Sequence, residues 1–185
     1  MFIEHGIDAV PFAHEKMDEW RNNFKGIRHI DEEAGYNFGG AVDDIWEKPN
    51  GDLIVIDVKS TSKNVFDWED TYSKWEYAKG YRRQLEMYQW LLEKNGFNVA
   101  SEGYLVYYNG KKHEPMFNQQ LTFDLHLVKL ECDNSWVEEA VLNAKATLDG
   151  DMPKPSKSCE NCNYLRKRWE VSQNCLLYTS PSPRD

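Results

Sequence analysis

The segment 53–62, Leu-Ile-Val-Ile-Asp-Val-Lys-Ser-Thr-Ser, constrains this chain more than any other. Leu53 to Ile56 form an apolar run of the kind a buried strand requires. The run then ends on Asp57 and Lys59. Side chains two apart in a strand share a face, so these two polar groups point the same way. Alone, the pair is an ordinary surface ion pair worth under about 1 kcal/mol. Whether it is something more depends on what surrounds it.

The surrounding order is local and readable. Lys-Pro-Asn-Gly-Asp at 48–52 is a turn by its Pro, Asn and Gly. It joins 53–59 to a preceding strand over 36–46, making a hairpin. Phe12, Met17, Trp20 and Phe24 recur at near-helical spacing and predict a short amphipathic helix over 12–25. Residues 60–72 are polar and irregular, a loop. A helix is expected over 72–96, stopped by Asn95-Gly96, with Tyr77, Tyr81, Gln84 and Tyr88 along one side. Strands follow at 101–110 and 117–128, then a helix over 135–151 with Ser135 and Glu138 as its capping box. Helix, two strands, helix, two strands and helix make an α/β domain with a mixed central sheet flanked by helices.

The chain has 185 residues, enough for one domain with a sizeable core. Its formal charge of −9 argues against broad electrostatic attraction to nucleic acid. That total leaves room for an acidic site holding a cation and for local basic patches. Two such patches are Lys79, Arg82 and Arg83 on the long helix, and Lys154, Lys157, Arg166, Lys167 and Arg168 near the end. Tyr and Trp side chains over 72–90 are candidates to stack on single-stranded bases. No stretch approaches the roughly 18 apolar residues of a membrane span, and no secretory leader is visible. The expected setting is the cytoplasm.

Three elements line up around the strand end. Gly40 and Asp43 lie in Gly-Gly-Ala-Val-Asp, Asp57 and Lys59 follow across the turn, and Gln84 and Tyr88 sit one helical turn apart. Two carboxylates converging from adjacent strands make a hard oxygen site suited to Mg²⁺ or Mn²⁺. A neighbouring lysine suits proton handling and charge balance at phosphorus. Asp44 falls on the opposite face of its strand.

This set resembles the PD-(D/E)XK nuclease superfamily. It is closest to the branch of RecB-type nuclease domains and CRISPR-associated iron–sulfur exonucleases, over roughly residues 36–92. The resemblance implies a restriction-endonuclease-like core and Mg-dependent hydrolysis of DNA phosphodiester bonds, exonuclease rather than endonuclease. It implies Asp43 and Asp57 as metal ligands, joined by the Val58 main-chain carbonyl. Lys59 becomes catalytic, with Gln84 and Tyr88 as site residues. The DNA partner would be single-stranded or a duplex end, in repair, recombination or phage DNA processing, with a helicase or recombination protein as a possible associate. The alternatives are a non-catalytic nucleic-acid-binding or assembly module, and a fragment of a larger helicase–nuclease. The branch often adds an upstream ligand, for which His14 is the foremost candidate, with Glu15 and His5 behind it.

Relatives that hold a [4Fe–4S] cluster carry a C-terminal Cys-x-x-Cys like Cys159 and Cys162, a third cysteine nearby and a fourth far upstream. No cysteine precedes Cys132 here. Two ligands hold neither a cluster nor a structural zinc, so no cluster is expected. Residues 175–185, Cys-Leu-Leu-Tyr-Thr-Ser-Pro-Ser-Pro-Arg-Asp, resemble a translated transposase-type sequencing adapter. They are set apart from the nuclease-like domain, 1–174, which is expected to continue in the natural protein. Cys175 is accordingly not counted as a ligand.

Overall fold

The computed structural model describes residues 5–114, 116 and 119–176, with side chains through 173. The chain divides into two compact units, Met1–Lys145 and Ala146–Asp185. In chain order the elements are β1 (Val10–Pro11), α1 (Met17–Trp20), β2 (Ile27–Asp31), β3 (Tyr36–Gly40), β4 (Asp44–Glu47), β5 (Leu53–Thr61), α2 (Trp68–Lys74), α3 (Glu76–Lys94), β6 (Val99–Gly110), β7 (Phe123–Glu131), α4 (Val137–Asp149) and α5 (Glu160–Leu176).

The central sheet runs β1-β4-β5-β6-β7. Among the described strands, only β5 and β6 pair in parallel. A parallel pair needs a long crossover, and α2 and α3 supply it. The fold is therefore α/β with a mixed five-stranded sheet flanked by helices, as expected from a restriction-endonuclease-like core.

The alternation along β5 explains its apolar run. Leu53 and Val55 join the larger core with Leu85, Leu91 and Leu92 of α3. Ile54 and Ile56 pack on the other face with Trp46 and Val106. Each such buried side chain contributes about 1.5–3 kcal/mol. Asp57 and Lys59 continue the Val55 face, so both turn toward α3.

The hairpin turn forms as expected. Gly51 takes φ +86°, a left-handed conformation that glycine adopts without strain, and its N–H reaches the Lys48 carbonyl at 2.9 Å.

Several local expectations are corrected. The strand expected over 36–46 is two strands. β3 pairs with β2 in a separate two-stranded sheet, and β4 joins the central one. Between them Val42 is buried, and its N–H bonds the Trp20 carbonyl at 3.1 Å, so the chain leaves one sheet for the other. The helix expected over 12–25 shrinks to α1 because Phe12 N–H bonds the Ile45 carbonyl at 2.9 Å, extending the edge strand. Phe24 is 91% exposed and belongs to no apolar stripe. The expected loop at 60–72 contains the start of α2, capped by Asp67, whose side chain accepts the Asp70 N–H at 2.9 Å. Ser135 donates its N–H to Asp133 at 3.0 Å, and Glu138 pairs with Lys94, so the expected capping box is not formed. β7 is shifted toward the C-terminus relative to 117–128; residues 117–118 lie outside the described residues.

In the second unit the Cys162 N–H donates to Cys159 Sγ at 3.4 Å at the start of α5. That contact holds Cys159 below the usual thiol range. The Cys175 side chain and residues 177–185 lie outside the described residues. No helix among the described residues is long and apolar enough to cross a membrane.

Candidate active site

The break between β3 and β4 shapes the site. It leaves Asp43 on the bend just before β4, free of the ladder. Arg21 steadies this bend by donating Nε to the Asp43 carbonyl at 3.2 Å and pairing its guanidinium with the Asp44 carboxylate. Asp44 also accepts the Trp46 indole N–H at 3.2 Å, so its carboxylate is a structural anchor. Asp43 Oδ2 accepts the Val58 N–H at 2.7 Å, across from β5. A strand residue's N–H and C=O point to the same side, so the Val58 carbonyl faces the edge that Asp43 occupies.

Asp57 is only 1% exposed. Lys59 Nζ lies 2.6 Å from its Oδ2, an ion-pair contact without the alignment of a hydrogen bond. Burial pushes the Asp57 carboxyl up, against the pull of Lys59, and the nearby Asp43 carboxylate pushes it further. The environment is therefore one in which a positive charge placed between the two carboxylates would be strongly favoured.

From α3, Gln84 Oε1 accepts from Lys59 Nζ at 3.3 Å, and Gln84 Nε2 donates to Tyr88 Oη at 2.9 Å. The Tyr81 ring lies under Lys59, with Nζ 4.6 Å from its centroid. Burial pushes the Tyr88 phenol up; Gln84 opposes this, and Asp57 and Asp43 add to it. Gly40 makes room for that ring, since a Cβ there would meet Tyr88 Cε1 at 2.7 Å. Gly40→Ala is accordingly expected to destabilise by about 1–3 kcal/mol through overpacking. Calorimetry of Gly40→Ala, Tyr88→Leu and the double variant checks this. The double variant should recover part of the loss, whereas strict additivity would disprove the contact.

The structure thus gathers Asp43, Asp57, Val58, Lys59, Gln84 and Tyr88 at one end of the sheet. It does not bring His14 to them. The His14 ring stacks on Trp20 at 4.7 Å and on Phe12 at 5.5 Å, and its Nδ1 accepts the Lys16 N–H. Among the described residues, no three His, Cys, Asp or Glu side chains converge as a ready metal set.

The basic residues of α3 are internally occupied. Lys79 and Arg83 lean on Glu76, and Arg82 pairs with Glu86 at 2.9 Å. Sequence reasoning missed Arg21, and it put Tyr81 on the Gln84 side of the helix without giving it a part in the site. The place of Tyr81 one turn before Gln84 is the signal for its contact with Lys59; Arg21 carries no such local signal.

The chain matches the model of the PD-(D/E)XK nuclease superfamily over residues 5–166. No curated protein matches it. Among solved structures, that of SSO0001 is similar at 20% identity and a TM-score of 0.35, over 69% of this chain and 48% of that one. The chain thus spans about half the length of that structure, and a likeness this slight bears on neither fold nor function. With the family match running through most of its length, the chain belongs to the PD-(D/E)XK nuclease superfamily.

Proposed function

We propose that the chain is a metal-dependent deoxyribonuclease of the RecB-like branch, hydrolysing phosphodiester bonds at the Asp43–Asp57–Lys59 cluster. The observation that carries this reading is the convergence of two carboxylates and a lysine, from separate segments, on a buried strand end. An ion pair of stabilising purpose alone gains little there, because desolvation offsets the attraction.

The donors fit a hard divalent cation. Asp57 presents a buried oxygen without an aligned hydrogen bond, Asp43 a second carboxylate, and Val58 a carbonyl on the same edge. These three would hold Mg²⁺ or Mn²⁺. Bound there, the ion would neutralise phosphoryl charge and acidify a water. The protein's own groups supply the rest. Lys59 Nζ, paired with Asp57 and held by Gln84 and Tyr81, would orient the attacking water and steady charge on the phosphorus. Gln84 keeps Lys59 aimed at the site, and Tyr88 fixes the Gln84 amide. Exonuclease action in repair, recombination or phage DNA processing accords with the branch its motif order resembles. We also take residues 1–174 as one domain, because the family match spans both compact units.

Labelled single- and double-stranded DNA, incubated with Mg²⁺ or with EDTA, tests this reading. Cleavage is expected with the metal only, and Lys59→Met is expected to slow it by about 10²–10⁴-fold. Unaltered cleavage by Lys59→Met, or cleavage in EDTA, would sink it.

A further inference from the structure

Beyond Lys59, β5 runs on to Thr61 and the chain reaches Lys63. The Lys63 backbone is clamped. The buried Asn109 side chain accepts its N–H at 2.8 Å and donates to its carbonyl at 3.1 Å. Its Nζ donates to Thr71 Oγ1 at 2.5 Å, and that hydroxyl spends its own proton on the Asp67 carbonyl at 2.6 Å. No carboxylate pairs with Lys63 among the described residues. A half-buried cation held by neutral partners is set to receive an anion.

That cation lines a cleft of about 190 Å³ with Thr71, Tyr77, Tyr81 and Tyr107. The cleft touches the site already described, because Tyr81 lies under Lys59. An aromatic row leads out from it. Tyr81 meets Tyr77 at 5.7 Å, and Tyr77 meets Trp75 at 6.0 Å. Tyr77 is 46% exposed and Trp75 54% exposed, so neither ring is spent on the core. Exposed rings beside a half-buried cation match how single strands are bound, with phosphate on the cation and unpaired bases on the π-faces. Bases in a duplex are stacked on one another and cannot use such a row.

We propose that this cleft is a subsite for single-stranded DNA, with Lys63 taking a phosphate oxygen and Tyr77 and Trp75 an unpaired base beside the scissile phosphate. The subsite rests on the nuclease reading only for its position relative to the scissile bond. What it adds is the set of side chains, Lys63, Tyr77 and Trp75, that would hold the strand.

Anisotropy of fluorescein-labelled oligothymidylate, measured in EDTA so that nothing is hydrolysed, tests the subsite. Tyr77→Ala should weaken binding by about tenfold, within the range for one stacked base, while Tyr77→Phe should not. Lys63→Met should flatten the slope of log affinity against log salt by about 0.7, the share of one phosphate contact to a single strand, and Lys63→Arg should restore it. A duplex of the same length should bind more weakly, and an abasic strand should lose the Tyr77 dependence. Equal binding by wild type, Tyr77→Ala and Lys63→Met would overturn the proposal, as would preference for the duplex. Binding that follows these expectations without any Mg²⁺-dependent cleavage would overturn the nuclease reading alone. Cleavage that requires Asp57, with binding indifferent to Lys63 and Tyr77, would overturn the subsite alone.

Discussion

Asp57→Asn is expected to lower cleavage by about a thousandfold while leaving the protein folded. Asparagine keeps the shape and one carbonyl oxygen but removes the charge. A bound divalent ion supplies several kcal/mol of transition-state stabilisation, and each 1.4 kcal/mol is a factor of ten in rate. Losing one of two anionic donors should forfeit much of that. The fold should not suffer equally, because burial and the Asp43 carboxylate already work against a charge at this position. Lys59 is left without its counter-ion, but its Nζ retains Gln84 and the Tyr81 ring. Thermal melting without metal should therefore be unchanged or slightly higher, the trade expected of a functional group placed where stability alone would not put it. Mg²⁺ should raise the melting temperature of the wild type and not of the variant. A variant that melts far below the wild type would recast Asp57 as a structural residue and undo the inference.

What could be read in the chain was local. The apolar run of β5, the Pro-Asn-Gly turn and the stop at Asn95-Gly96 each specify their own conformation within a few residues. Asp57, Lys59, Gln84 and Tyr88 followed, because strand and helix periods fix which side chains share a face. The remaining features were decided at a distance. Nothing near Gly40 announces that the chain must leave one sheet there; the reasons are Tyr88 against Gly40 and Val42 beneath the Trp20 carbonyl. The apolar spacing of Phe12, Met17 and Trp20 was real, but it buries through a short strand and a single helical turn. His14 met the residue-type requirement for a metal ligand, yet its aromatic neighbours claim the ring.

Glu86→Ala is expected to cost about 3 kcal/mol of stability and little of the chemistry. Glu86 lies inside the Gln-Leu-Glu-Met-Tyr segment, two residues from Gln84 and from Tyr88, and so on the far side of α3 from the site. It is 4% exposed. Its carboxylate accepts the Trp136 indole N–H at 2.8 Å, the Asp133 N–H at 3.1 Å and Arg82 Nε at 2.9 Å. Alanine would leave the first two donors unsatisfied, at about 1–3 kcal/mol each. Arg82, with its side chain 40% exposed, can turn to water and adds little. At this chain length the loss should lower the melting temperature by about 2–4 °C per kcal/mol. Removing the indole donor as well, in Glu86→Leu with Trp136→Phe, should recover part of the loss, since an apolar pair leaves less unsatisfied. Cleavage per folded molecule should stay within a few-fold of wild type, because Lys59, Gln84 and Tyr88 make no contact with this carboxylate. A stable Glu86→Ala protein with abolished cleavage would show that the carboxylate serves the reaction and not the seating of α3.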